Sequence, residues 1–320
     1  MPSFRFPDPR QASRLPAYGA LVLTTALWGS NPSVSRLVLD AVPPAALGWS
    51  RWVVVLVAVL PLVWPERRIV AQALRERWKT LFLLAMLAGA PQSVVIYKGL
   101  EMSSAVNLGL FNSAIPVLIL ILGAMLWGKR IRLREAAGIA VSLGGVLVIL
   151  FQGSLDKALG LAFNAGDVVL FAGMVLWALY TLKLIDRPRA LSPPALVAVI
   201  AAFGVAVCTP LVVAEAIAVH PPRLDAGTLL AVVYIGLGPT LGAMLCFNYA
   251  VERIGPVRAG ALVHLMPVFA SGFAIVLLGE KVHLFHAAGF ALVVGGALLA
   301  LASPRMNVSP SLPSKGVDHA

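Results

Sequence analysis

Five polar side chains fall inside long apolar runs of this sequence: Asn31, Gln92, Asn112, Asn248 and His264. A polar group at mid-depth in hydrocarbon costs free energy unless it is paired or hydrated. Such residues therefore mark a wet binding site or a helix-to-helix hydrogen bond, the latter worth ~0.6 kcal/mol. Trp28, Trp177 and Tyr180 lie in the same runs. They offer flat apolar walls to a ring-bearing molecule, or ordinary packing surface. His264, beside Pro267, adds an imidazole that can hydrogen-bond a substrate carboxylate or exchange a proton. The acidic residues Asp40, Glu101, Asp167, Glu215, Glu252 and Glu280 all fall near the ends of these runs. The chemistry is recognition of a neutral or zwitterionic small molecule, without the buried carboxylate that exchanges protons for a cationic drug.

Catalysis fits poorly. Of the histidines His220, His264, His283, His286 and His319, only His264 sits at mid-depth. No H-E-x-x-H, paired haem ligands or phosphate-binding glycine run is present, so no enzyme, metal or cofactor is expected. Cys208 and Cys246 lie within apolar runs, where packing is their expected role.

The residues that must position this chemistry define the fold class. The chain is 59% hydrophobic and 12% charged, with mean hydropathy +0.90. A soluble domain carries about 25% charged residues. Each membrane crossing needs ~20 apolar residues, and the chain divides into ten such runs. These predict helices over 17–39, 46–64, 80–100, 107–127, 135–151, 164–182, 193–217, 227–250, 257–278 and 284–303. The expected fold is an all-α polytopic membrane protein.

Residues 97–148 and 248–299 align without a gap, pairing Glu101 with Glu252, Gly109 with Gly260, Pro116 with Pro267, and Gly144-Gly145 with Gly295-Gly296. This is an internal repeat. Lys and Arg avoid translocated loops. They concentrate around Arg67 to Lys79, Lys129 to Arg134, Lys183 to Arg189 and Arg253 to Arg258, which places both termini in the cytoplasm. The net charge of +11 thus reflects topology, with lipid headgroups and not nucleic acid as the anionic partner. The turn at Lys129, Arg130, Arg132 and Arg134 corresponds to one at Lys281 that has lost most of its charge. An odd number of helices per copy inverts the second copy, giving two inverted five-helix repeats, 17–151 and 164–303. Residues 1–16 read as a cytoplasmic tail without a removable signal peptide, and 304–320 as a disordered cytoplasmic tail.

Helix breakers locate candidate gates, because irregular backbone in a membrane must face protein or a wet cavity. Gly29 to Pro32 is expected to interrupt the first helix, Gly89 to Gln92 with Pro91 the third, Pro116 the fourth, Gly236 to Pro239 the eighth and Pro267 the ninth. Packing kinks are the alternative. Trp49, Trp52, Trp64, Trp78 and Trp127 read as interfacial anchors. Arg36, Arg51 and Lys98 read as snorkelling cations or as anion attractors at the outer mouth.

Trp28-Gly29-Ser30-Asn31-Pro32, Arg51, Ser104-Ala105-Val106-Asn107 leading to Ile115-Pro116, and Gly279-Glu280-Lys281 leading to Gly289 and Gly295-Gly296 resemble the EamA-type drug/metabolite transporter superfamily. The likeness extends from Tyr18 to Ala302 and is nearest to exporters of aromatic amino acids. It implies ten helices, inverted repeats and export of small metabolites across the bacterial inner membrane by alternating access. The expected partners are a small-molecule substrate and membrane lipid, with the oligomeric state left open and a monomer admissible. Uniport of amino acids is the leading expectation; proton-coupled export of drugs or other metabolites, and a channel, stay open beside it.

Overall fold

Apolar runs without a polar stripe satisfy their backbone in lipid only through internal hydrogen bonds, and helices do this within one segment. The computed structural model describes residues 15–103, 105–128, 131–219, 221–223, 225–278 and 283–301. The tail beyond residue 301, residues 1–14, and the turn holding Glu280 and Lys281 lie outside the described residues. The helices are α1 (Leu15–Arg36), α2 (Pro44–Val63), α3 (Arg67–Ala88), α4 (Ala90–Met102), α5 (Ala105–Trp127), α6 (Leu133–Leu150) and the short α7 (Leu155–Leu159). There follow α8 (Ala165–Lys183), α9 (Pro193–Ala218), α10 (Ala226–Ile235), a π-helical turn (Gly236–Gly242), α11 (Ala243–Ile254), α12 (Pro256–Leu262), α13 (Met266–Leu278) and α14 (Leu284–Leu301). Among the described residues, seven stretches are long and apolar enough to cross a membrane, so the chain is a multi-pass membrane protein. The longest, Pro44–Met102, returns on itself, since a Cβ at Gly48 of α2 would lie 2.9 Å from the backbone N of Val94 in α4.

Three expectations are corrected. Residues 67–79, expected as a charged loop, are helical: Val70, Ala73 and Leu74 turn one face inward while Arg67, Arg68, Arg75 and Lys79 stay exposed. An amphipathic stripe at helical spacing forms even where mean hydropathy is low. The segment departs from helical geometry only at Arg77 (φ −133°, ψ 26°). The interruptions expected at Gly29–Pro32 and at Pro116 are absent, because α1 and α5 run through them. A proline in a membrane helix is tolerated where neighbouring groups satisfy the freed carbonyl. Trp52 is not an interfacial anchor; it is 2% exposed and donates its indole N–H to Ser93 Oγ at 3.0 Å.

The chain does leave α-helical geometry at or beside three of the expected places. α3 stops at Ala88 and α4 starts at Ala90, across Gly89. There α9 comes close, with a Cβ at Gly204 only 2.7 Å from Ala90 N. Pro239 removes a backbone donor inside the π-helical turn, and Thr240 Oγ1 donates to the Ile235 carbonyl at 2.7 Å. A 3-10 turn, Val263–Leu265, separates α12 from α13, where Pro267 occupies the second position.

The tightest seam joins α6 to α14. A Cβ at Gly138 would lie 2.6 Å from Gly296 O, and one at Gly145 would lie 2.7 Å from Gly289 O. Between them Ser142 Oγ donates to Val293 O at 3.3 Å. Contacts that descend along one helix as they ascend the other define an antiparallel pair, and small residues let the backbones meet. Ser142 and Val293 are 151 positions apart, the interval of the internal repeat.

Candidate functional site

α1, α2, α4, α5, α8 and the π-helical turn surround a cavity of about 130 Å³. Its wall contains five of the residues singled out by sequence, Trp28, Asn31, Gln92, Asn112 and Trp177, together with Pro239. Pro91 is the second residue of α4, next to the cavity residue Gln92, whereas Pro116 and Pro267 are not in the wall; the Pro32 side chain lies outside the described residues.

The aromatic side of the cavity is a built cluster. Trp28 meets Trp177 edge-on, with centroids 5.2 Å apart and planes at 85°. Phe247 lies 5.3 Å from Trp28 and 5.5 Å from Trp177. Such pairs contribute ~0.5–1.5 kcal/mol beyond burial. Trp28 is fixed further by donating Nε1–H to the Pro239 carbonyl at 3.0 Å. Gln92 donates to the Gly173 carbonyl at 3.4 Å, leaving its own carbonyl oxygen unengaged among the described residues.

Sequence reasoning placed Arg51 at the outer mouth; the structure places it in the cavity wall. Its Nε–H donates to Thr240 Oγ1 at 2.6 Å and an Nη1–H to Tyr97 Oη at 2.9 Å. Tyr97 Oη in turn sits 3.3 Å from Ser35 Oγ, which donates to Asn31 Oδ1 at 3.3 Å. Gly236 lets this happen: a Cβ there would lie 2.6 Å from Val54 Cγ1, so only glycine allows the π-helical turn to close on α2. No hydropathy signal separates such a residue from a snorkelling arginine; only the partners on α4 and the π-helical turn do.

The remaining candidates are not brought to the cavity wall. Tyr180 donates its hydroxyl to Asn248 Oδ1 at 2.8 Å, and both side chains are buried. His264 is 1% exposed, with Nδ1 at 2.8 Å from Ser142 Oγ and Nε2 at 2.8 Å from the Ser113 carbonyl. It ties α5, α6 and the 3-10 turn together.

Two ion-paired clusters lie away from the cavity wall. Glu215 of α9 accepts from the N–H groups of Ala45 (2.8 Å) and Ala46 (3.0 Å), satisfying buried donors that lack an intrahelical partner at the start of α2. The same carboxylate pairs with Lys98 of α4 at 2.8 Å. Near the other end of α8, Arg187 pairs with Glu252 at 2.5 Å and also donates to the Leu191 carbonyl at 2.8 Å. Asp167 accepts from Ser103, Asn107 and the Asn164 backbone, tying the start of α8 to the connection between α4 and α5. Among the described residues, no group of His, Cys, Asp or Glu is arranged to hold a metal ion.

Comparison with known proteins agrees with this architecture. A probable terminal-alkyne amino-acid exporter of Streptantibioticus cattleyicolor is 30% identical over 292 residues, covering 88% of this chain and 92% of its own. The uncharacterized transporter YyaM of Bacillus subtilis is 24% identical over 81% of this chain and 84% of its own. The uncharacterized inner membrane transporter YedA of Escherichia coli is 24% identical over 83% and 82%. A crystal structure with a TM-score of 0.72 and 23% identity, covering 90% of this chain and 97% of that one, shares the fold. The model of the EamA-like transporter family matches twice, at residues 15–151 and 164–302, on either side of α7. The chain belongs to the EamA-like transporter family, within the drug/metabolite transporter superfamily.

Proposed function

We propose that this transporter exports small neutral or zwitterionic metabolites, amino acids including aromatic ones, across the bacterial inner membrane. The observation that carries the reading is one cavity whose wall combines the packed rings of Trp28 and Trp177 with the amides of Asn31, Gln92 and Asn112. Rings suit an apolar side chain, and amides suit a zwitterion's polar end. The amino-acid exporter of Streptantibioticus cattleyicolor lends the substrate class support.

Transport proceeds by alternating access between two inverted five-helix repeats, 17–151 and 164–303, ten spans with both termini cytoplasmic. Two observations support the inversion. α6 and α14 cross antiparallel, with Gly138 on Gly296 and Gly145 on Gly289, so each contact is the repeat image of the other. His264 with Ser113 and Ser142 with Val293 pair residues 151 apart, as expected where a pseudo-two-fold axis passes. Among the described residues, no carboxylate stands in the cavity wall. The transport is uniport, down the substrate's own gradient.

The test is reconstitution into liposomes with a panel of labelled amino acids, with and without an imposed pH gradient. Saturable uptake of aromatic amino acids with trans-stimulation is expected in both conditions. Non-saturating flux would replace the carrier with a channel, and a strict requirement for the gradient would replace uniport with proton coupling.

A further inference from the structure

The cavity holds a cation whose charge nothing in its wall balances. Arg51 lines it, no Asp, Glu or other charged residue does, and among the described residues no ion pair involves Arg51. A guanidinium inside an apolar helix bundle is costly, and such residues normally find a counter-charge or a functional role. This one is half-buried and held in place. Nε is fixed on Thr240, Nη1 on Tyr97, and the ring of Tyr97 lies 5.8 Å below the guanidinium carbon.

Five N–H groups belong to a guanidinium and two are used. The remainder have no partner among the described residues. Their fixed fork matches the two oxygens of a carboxylate, which a lysine ammonium does not.

The placement relative to the aromatic wall fixes what else the ligand carries. Pro239 O holds the indole of Trp28, and the next residue, Thr240, holds Arg51. One π-helical turn therefore sets ring wall and cation side by side in a common frame. In the same wall, the Gln92 carbonyl oxygen and the Asn112 amide supply uncharged acceptors for an ammonium. They add no negative charge that would attract an amine lacking a carboxylate.

We propose that Arg51 is the carboxylate-binding residue of the cavity, and that the transported molecules are carboxylates bearing an apolar, ring-sized side chain, with the ammonium of an amino acid tolerated but not required. This deepens the export reading and rests on it only for the direction and class of transport, not for binding.

The full-length protein in lipid nanodiscs is titrated with L-phenylalanine, 3-phenylpropanoate and 2-phenylethylamine, followed by tryptophan fluorescence and calorimetry. The first two keep the carboxylate and the third lacks it. Wild type is expected to bind both carboxylates at least tenfold more tightly than the amine. Arg51→Gln is expected to lose that preference, with at least tenfold weaker binding of both carboxylates and unchanged binding of the amine. Equal affinity of wild type for the amine overturns the proposal, as does a well-folded Arg51→Gln that keeps the carboxylate preference. If Arg51→Gln does not fold, the three-ligand comparison on wild type decides alone. Arg51-dependent binding of 3-phenylpropanoate without amino-acid transport overturns the export reading and supports the subsite. Export of phenylalanine unchanged in Arg51→Gln overturns the subsite and leaves export standing.

Discussion

Trp177 touches the rings of Trp28, Tyr180 and Phe247, and its own indole N–H has no partner among the described residues. An unpaired donor beside a cavity is a cost that a ligand oxygen or a water can repay. Trp177→Ala should weaken binding of aromatic substrates about tenfold, the equivalent of ~1.4 kcal/mol, measured by titration of the purified protein. Asn248→Ala should behave differently. It leaves the buried Tyr180 hydroxyl without its acceptor, at a cost of ~1–3 kcal/mol. The melting temperature in detergent should fall while substrate affinity stays unchanged; a weakened affinity at unchanged stability would return Asn248 to the site. The contrast shows where sequence reading stops. Asn112 and Asn248 look alike as amides in apolar runs, and only the neighbouring helix decides that one faces a cavity and the other a tyrosine. Arg51 stayed open between snorkelling and attracting an anion for the same reason: position along a helix is legible in hydropathy, but direction around it is not.

At the scale of helices, the glycines separate by what stands opposite them. Gly145 faces the Gly289 carbonyl at 2.7 Å from a built Cβ, whereas Gly144 and Gly295 have nothing within 4 Å. Gly145→Val should therefore destabilise the protein by at least ~1–3 kcal/mol, since backbone cannot yield as a side chain would. Gly144→Ala should be neutral or stabilising by up to ~1 kcal/mol through helix propensity alone. Thermal unfolding of the two variants checks this, and equal melting temperatures would contradict the seam. Helix existence was legible from apolar run length, and the limits of α9 and α14 were read to within a few residues. The start of α3 was not, because its charged face lowers hydropathy without removing its inward stripe of Val70, Ala73 and Leu74. Breaks were legible only in part. Proline alone did not locate them, as Pro116 shows; the departures at Gly89 and Gly236 occur where another helix comes close.

For the whole molecule, one ion pair ties the connection after α8 to α11: Arg187 and Glu252 are paired. On the alternating-access reading, this pair holds one end shut. Glu252→Gln should raise the reactivity of cysteines introduced near Tyr249 toward cytoplasmic thiol reagents, and lower the apparent affinity for substrate added from outside. Unchanged labelling would show that the pair is structural only. Cysteines placed at Lys129 and Lys281 should label from opposite faces of the membrane; labelling from one face would remove the inversion. The family-level architecture was the most legible layer, because loop charge and the Glu101/Glu252 and Pro116/Pro267 pairs survive in sequence even where contacts do not.

The meeting of α6 and α14 has a mechanical corollary. Main chain rests directly on main chain there, with Gly138, Gly145, Gly289 and Gly296 contributing no side chains that could swing between rotamers. Sliding along such a line would drive peptide groups into one another. On the alternating-access reading, the line would serve as a fulcrum, with displacement growing with distance from it.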